Sequence, residues 1–112
     1  MSRAVQSYYH SNGYANNGAN IAAGPARLMQ FGGFNASGGQ LWVQIFDATA
    51  VPADTTVPVQ SFLVPNSASF SWEPWNGLRL TTGLTWSLSS TGDQLTATTG
   101  DVWVFARYIE ES

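Results

Sequence analysis

The sequence predicts an all-β fold, either an antiparallel sandwich of two sheets or a jelly roll, with about eight strands. Three observations support this prediction. Apolar residues recur at every second position over short stretches from Arg27 onward, turn-forming residues separate these stretches, and no stretch has the 3.6-residue period of a helix. Two of the predicted strands are apolar on both faces, which places them in the middle of packed sheets.

The 112 residues are predicted to form one β-sandwich domain over 26–112, preceded by an extended N-terminal arm over 1–25. Two domains would leave each half too short to bury a core, and there is no cysteine for a disulfide. The arm is rich in Asn, Gly and Ala and follows neither a strand nor a helix period. We therefore expect an arm that is flexible alone and becomes ordered by docking on a partner, the alternative being an inert leader.

Three tyrosines of this arm, Tyr8, Tyr9 and Tyr14, are the predicted partner-binding residues. Tyrosine offers a large contact area at a low cost in side-chain entropy, and the neighbouring Asn and Gly residues let the backbone follow a groove. Removal of the arm is expected to weaken binding and to leave the melting temperature nearly unchanged.

The first strands of the predicted domain alternate clearly. Residues 26–34 form a strand in which two adjacent glycines mark a bulge. Residues 41–46 place Leu, Val and Ile on one side and Trp, Gln and Phe on the other, which predicts a central strand. The next strand occupies 57–64, where Pro58 confines the start to an edge position.

The second half of the domain continues the pattern. Residues 69–72 are predicted to form a strand with one buried and one solvent-exposed face. Asn76-Gly77 is the strongest hairpin signal in the sequence, and it precedes a short strand predicted at 78–81. Three more strands, the last of them central, are predicted to form a meander over 84–89, 95–97 and 102–109.

The period-two spacing also predicts the residues that fill the core between the two sheets. These are Leu41, Val43, Ile45, Phe70, Leu84, Trp86, Leu88, Val102 and Val104.

Charge is scarce and limits the classes of partner. The chain has four Arg, no Lys and seven acids, and only 10% of its residues are charged, against about 25% in a typical protein. A net charge of −3 without a basic cluster provides no electrostatic footprint for nucleic acid, so no nucleic-acid partner is expected. No window is apolar enough for a membrane helix and the N-terminus lacks signal-peptide order, so we expect a soluble, unexported chain without a membrane partner.

The titratable residues form no catalytic or metal-binding pattern. His10 is the single histidine and lies in the arm, where a general base is not held rigidly. Asp54, Asp93 and Asp101 occupy turn positions that favour Asp for structural reasons, and they do not cluster as calcium ligands do. We predict no catalytic residue, no metal and no cofactor, and therefore a protein that is not an enzyme.

The aromatic content of 13%, with five Trp, has two explanations of equal weight, a Trp-rich core and a surface that binds a partner. Trp72, Trp75 and Asn76 are a possible sugar-binding platform, because aromatic rings stack on pyranose faces. The alternative is that these aromatic residues close one end of the core.

Several strand and turn segments resemble the small β-sandwich virion proteins of tailed bacteriophages. The resemblance runs from 40 to 109, and the segments that carry it are 43–54, 57–59, 64–65, 77–91 and 102–109. It implies a head-decoration, fibre or neck component, with no catalytic residues to carry over.

The residues and the resemblance together favour a phage structural protein, made in the host cytoplasm and located in the virion. The more specific interpretation is a capsid decoration protein that binds the head surface as a homo-oligomer, with the major capsid protein or another virion protein as partner. A trimer is favoured by analogy with decoration proteins at three-fold positions. A carbohydrate-binding module or a receptor-binding fibre domain is the alternative.

Overall fold

The computed structural model describes residues 5–10 and 18–111, and these form nine β-strands in two antiparallel sheets. In chain order the strands are β1 (Val5–His10), β2 (Gly18–Ala22), β3 (Ala26–Asn35), β4 (Leu41–Asp47), β5 (Gln60–Val64), β6 (Ser69–Trp72), β7 (Leu78–Leu80), β8 (Leu84–Ser89) and β9 (Val102–Glu110). The predicted all-β fold of two sheets is confirmed. Nowhere in these residues is there a helix long and apolar enough to cross a membrane.

The order of the strands is that of a jelly roll. Sheet A runs β1-β9-β3-β6, with β7 also paired to β3, and sheet B runs β2-β8-β4-β5. The chain passes from one sheet to the other between β1 and β2, β2 and β3, β3 and β4, β5 and β6, β7 and β8, and β8 and β9. Apart from β4 and β5, paired strands therefore come from distant parts of the sequence, as in the double Greek key.

The core lies between the two sheets and contains the residues that the alternation predicts. Eight of the nine are buried, and the ninth, Phe70, is partly buried against the others. One side of the core, next to β5 and β6, is closed by an aromatic cluster whose ring centroids lie 5.3 to 6.0 Å apart. The cluster consists of Phe31, Phe62, Phe70 and Trp72.

The structure differs from the prediction that residues 1–25 form an arm outside the sandwich. Strand β1 pairs with β9 from Val5 opposite Ile109 onward, and β2 pairs with β8, so both complete sheet edges. The prediction was wrong because edge strands pair through the backbone and need no clear alternation of their own. Side-chain anchors replace that alternation, since Asn20 Nδ2 donates to the carbonyl oxygens of Leu84 and Ala22 at 3.1 and 2.9 Å.

The Asn76-Gly77 turn does not close a hairpin. Strands β6 and β7 pair in succession with the same strand β3, so residues 73–77 interrupt one edge of sheet A. The Gly77 N–H donates to the Pro74 carbonyl at 2.9 Å, and Asn76 and Gly77 adopt φ of 61° and 78°. Asn-Gly favours positive φ in any tight turn, and the surrounding pairing decides whether that turn reverses the chain.

The predicted meander at the end of the chain is also wrong. Strand β8 lies in sheet B and β9 in sheet A, and residues 95–97 contribute only an isolated bridge between Ser89 and Ala97. The Thr-Gly-Asp sequences at 91–93 and 99–101 lie in a crossover between the sheets. Turn residues of the same type serve crossovers and hairpins, so they do not reveal strand order.

Candidate functional site

The outer face of sheet B is covered by two loops, residues 48–59 and 90–101, which we call the loop layer. The two loops bond to each other, because Thr55 N donates to Leu95 O at 2.7 Å and Leu95 N donates to Thr56 O at 2.8 Å. Leu95 is fully buried. The loop layer therefore gives the sandwich a small additional layer on this side.

Polar side chains of sheet B are buried beneath the loop layer and bonded to it. Gln44 Nε2 donates to the Thr91 carbonyl at 2.9 Å and to Ser61 Oγ at 3.1 Å. Ser89 Oγ donates to the Thr91 carbonyl at 2.8 Å. These bonds compensate the desolvation of Gln44 Nε2 and Ser89 Oγ and hold the loops on the sheet, whereas Gln44 Oε1 is buried without a hydrogen-bond partner among the described residues. The outward side of the central strand β4 is thus occupied by the chain itself.

The outer face of sheet A is exposed instead. Strand β9 is central, between β1 and β3, and the outward side of it includes Trp103, 45% exposed, and the exposed Arg107. Sequence alternation predicts packing on both sides of this strand, and the residues that the structure describes provide it on one side only. The apolar residues of the second side are a candidate binding surface.

An aromatic surface lies at one end of this sheet, made of Phe34, Trp103 and Phe105, and we call it the aromatic face. The rings of Phe34 and Trp103 are tilted at 53° with centroids 6.1 Å apart. Gly32 lets the Phe105 ring lie against β3, because a Cβ there would come within 2.8 Å of the ring atom Cε1. The surface is built on paired strands and is therefore held rigidly.

The arginines of the described chain all lie on sheet A. Arg27 and Arg79 share one carboxylate, with Arg27 Nη2 3.5 Å and Arg79 Nε 3.2 Å from the oxygens of Glu111. Arg107 lies on the outward side of β9, two residues from Phe105 of the aromatic face. The open side of sheet A thus combines aromatic rings with a guanidinium group.

A second exposed apolar surface lies along the β5 edge of sheet B. Val57 is 74% exposed, Val59 45% and Leu63 46%. Val57 and Val59 lie just before β5 and Leu63 lies within it, with Ser61 between Val59 and Leu63. We call these three side chains the aliphatic patch. Asp54 precedes it in the loop layer, where Oδ1 accepts a hydrogen bond from Ala97 N at 3.0 Å.

The acidic side chain of sheet B holds a turn in place. Asp47, the last residue of β4, accepts hydrogen bonds from the N–H groups of Thr82, Gly83 and Thr81 at 2.8, 3.1 and 3.2 Å. Burial alone raises the pKa of this carboxyl, but the three backbone bonds outweigh it and hold the pKa below the ordinary value of 3.8. Asp47 thus fixes the turn between β7 and β8.

We expect Asp47→Asn to lower the free energy of unfolding by about 1–2 kcal/mol at neutral pH, because an amide accepts these bonds less well than a carboxylate does. A depressed folded pKa contributes stability above the unfolded pKa and loses it as the pH falls through the folded pKa. The difference between wild type and variant should therefore shrink below about pH 4, which urea unfolding at several pH values measures. Asp93→Asn is the control, and a difference that does not change with pH would contradict this role.

The predicted partner-binding tyrosines have different positions. Tyr8 packs against the core, and the hydroxyl oxygen accepts a hydrogen bond from Trp86 Nε1 at 3.3 Å, so the fold itself uses this residue. Tyr9 lies opposite Phe105 in the register of β1 and β9, and its side chain is not among those that the structure describes. Tyr14 lies outside the described residues.

The predicted sugar-binding residues are not brought together into one platform. Trp72 meets Phe62 edge to face at 5.3 Å and forms part of the core wall, as the alternative proposed. Trp75 is 90% exposed in the interruption between β6 and β7, where the Asn76 carbonyl accepts a bond from Arg27 Nη1 at 3.3 Å. Alternation in β9 indicates that Trp103 and Phe105 share the outward side of the strand. It does not indicate whether other residues cover that side or leave it open to solvent.

Comparison with known proteins gives distant fold likenesses. No protein-family model and no curated protein matches the chain. Among solved structures, the Tobacco streak virus coat protein dimer has a TM-score of 0.48 at 10% identity, covering 98% of this chain and 88% of that one.

Two further solved structures are similar over the whole of this chain. The Bacillus endospore appendages, described as disulfide-linked pili, have a TM-score of 0.47 at 11% identity, with 93% of that chain covered. The virus-like particle of extra small virus from the prawn Macrobrachium rosenbergii has a TM-score of 0.40 at 11% identity, with 82% of that chain covered. At these scores the likenesses carry no argument about function, which depends on the surfaces described above.

Proposed function

We propose that the chain is a virion structural protein of a tailed bacteriophage that decorates the head surface as a homo-oligomer, with a trimer favoured. The observation that carries the proposal is the contrast between the two sheets. The loop layer covers one of them, whereas the other presents the aromatic face on rigid strands. A surface of this kind serves protein–protein contact.

The composition supports the same role. Few charges, together with the exposed rings of Trp75 and Trp103, are typical of a surface that is covered in an assembly. The jelly roll is a frequent architecture of capsid and lectin domains, which is a fold-level analogy. The segments that resemble phage virion proteins include β4, β8 and β9, so the resemblance concerns the strands that build both sheets.

Decoration needs contacts between subunits and contacts with the head shell. We propose Tyr9 and Tyr14 as contacts with the shell, where the partner is the major capsid protein or another virion protein. Each contact need not be strong alone, because an oligomer binds the shell at several sites at once.

The test is cosedimentation of the purified protein with phage heads from which this protein has been removed by gene deletion. We expect saturable binding to the heads and none to an equal mass of an unrelated shell. Trp75→Ala should bind as wild type does, because Trp75 is not assigned to the shell contact. Protein that stays in the supernatant at all head concentrations would contradict the decoration role.

A carbohydrate-binding or receptor-binding fibre module is the second candidate, and the exposure of Trp75 favours it. A ring that is 90% exposed on a tight turn is available to stack on a pyranose or on a receptor. A glycan array probed with wild type and Trp75→Ala separates the candidates. Binding to glycans that Trp75→Ala abolishes, without binding to heads, would establish this second function in place of decoration.

A further inference from the structure

We infer that Asn76 is a site of spontaneous deamidation, in which the side-chain amide becomes a carboxylate, and that the turn around it sets the rate. The reactive dipeptide is Asn76-Gly77, in the interruption between β6 and β7. Asn76 is exposed, and Trp75 beside it is 90% exposed. The inference is independent of the proposed function, since the reaction needs only this chain and water.

The reaction takes place between two neighbouring residues. The backbone nitrogen of Gly77 attacks Cγ of Asn76 and forms an N–Cγ bond, the Cγ–Nδ2 bond breaks, and Nδ2 leaves as ammonia with the proton of the Gly77 N–H. Water then opens the resulting five-membered imide. Opening at Cγ gives aspartate, and opening at the backbone carbonyl carbon gives isoaspartate. No oxidant or reductant takes part.

The fold favours this labile dipeptide at these two positions. Asn76 and Gly77 have positive φ of 61° and 78°, a region in which Asn and Gly are the preferred residues. A Cβ at position 77 would also come within 2.5 Å of Arg27 Cγ and 2.9 Å of Met29 Sδ. A side chain on the residue after Asn slows deamidation, because it hinders the approach of the nitrogen to Cγ. The packing of Gly77 disfavours any such side chain here.

The closed turn opposes the reaction through two hydrogen bonds. The Gly77 N–H donates to the Pro74 carbonyl at 2.9 Å, so the proton that must leave is engaged. Arg27 Nη1 donates to the Asn76 carbonyl oxygen at 3.3 Å and holds the same peptide group. Between described residues, these two bonds are the hydrogen bonds that hold residues 73–77. The reaction therefore proceeds from an opened turn, and the opening is a small local event.

The product differs from Asn76 in charge and in the course of the main chain. The new carboxylate adds one negative charge to the net charge of −3. It forms beside Arg27, whose Nη2 lies 3.5 Å from Glu111 in the unmodified chain. In isoaspartate the main chain passes through Cβ, so the turn is one atom longer. Because Trp75 lies in this turn, the modification changes how the exposed ring is presented.

The experiment follows the amide of Asn76 in the full chain over time at neutral pH, in native protein and in protein unfolded by guanidinium chloride. An endoproteinase that cleaves before Asp releases residues 54–92, which contain Asn66 and Asn76 but neither of the other Asn-Gly dipeptides, at 12–13 and 17–18. Tandem mass spectrometry locates the mass change from amide to acid. The aspartate product is also cut before position 76, whereas the isoaspartate product is not.

Asn66 is the internal control within the same peptide. It is exposed like Asn76, but Ser67 follows it, and its Oδ1 accepts a hydrogen bond from Gly38 N at 3.0 Å. In native protein we expect Asn76 to be converted faster than Asn66. The native rate at Asn76 should be about three- to thirtyfold lower than the rate in the unfolded chain, the factor for one or two hydrogen bonds that must break.

Arg27→Gln tests the turn directly, because it removes the donor to the Asn76 carbonyl and should raise the native rate about threefold. Arg79→Gln is the matched control, since it removes the other arginine that pairs with Glu111 and should leave the rate unchanged. Thermal melting establishes that both variants are folded. If one is not, the comparison of native with unfolded wild type decides alone.

Several results would overturn the inference. One is a native Asn76 that keeps its amide while the unfolded chain is converted completely. The others are equal rates at Asn76 in native and unfolded protein, equal rates in folded Arg27→Gln and Arg79→Gln, and conversion of Asn66 ahead of Asn76.

Discussion

A variant that starts at Gly24 should lose most of the thermal stability of the full chain, with a melting temperature lower by at least about 15 °C or no cooperative transition. The deletion removes β1 and β2, and with them one edge strand from each sheet. Strands β8 and β9 then lose the backbone hydrogen bonds of one side. We expect the free energy of unfolding to fall by at least about 3 kcal/mol, which differential scanning calorimetry and urea unfolding measure.

The size of this effect follows from what the two strands contribute to the core. The Tyr8 ring packs on the core and bonds to Trp86, and Ala22 is buried. Asn20 Nδ2 also donates to Thr85 Oγ1 at 3.0 Å, so its loss leaves polar groups of β8 without this partner. Exposed core and unpaired polar groups are the two main causes of large destabilisation.

The control for the deletion is a variant that starts at Val5, which keeps both strands and should melt as the full chain does. A protein starting at Gly24 that melts at the wild-type temperature would show that the sandwich is complete without β1 and β2. That outcome would restore the interpretation of residues 1–25 as an arm.

The extent to which the sequence predicts this fold depends on the environment of each strand. In β4, β8 and β9 the inward positions alternate strictly, because they lie in the middle of a sheet and must fill the core, and the alternation identifies them correctly. In β1 and β2 the backbone pairing and the side chain of Asn20 fix the strands. These contacts join residues more than 60 positions apart and leave no local pattern.

The candidate binding surface was likewise only partly predictable from the sequence. Alternation in β9 predicts that Trp103 and Phe105 share a face, and this is correct. What lies over that face depends on the order of the strands and on the course of the loops, which turn residues do not encode. Gln44 and Phe46 have the same outward register in β4 as those residues have in β9, yet they are buried beneath the loop layer.

Trp86→Ala is expected to lower the free energy of unfolding by about 3–5 kcal/mol, which is a large part of the stability of a domain of this size. Trp86 is the largest of the fully buried side chains, and it lies in β8 between β2 and β4. Its replacement leaves a cavity between the sheets that rigid neighbours fill only in part. Urea unfolding of wild type and variant measures the difference.

Trp75→Ala is the matched control, because it makes the same chemical change at a ring that is 90% exposed, and it should change stability by less than about 0.5 kcal/mol. Tyr8→Phe separates the contribution of the Trp86 hydrogen bond to stability from the contribution of the buried Trp86 ring. It removes the hydroxyl that accepts the bond from Trp86 Nε1 without opening a cavity, and should cost about 1 kcal/mol. Equal stability of Trp86→Ala and wild type would mean that the inward face of β8 is assigned to the wrong side.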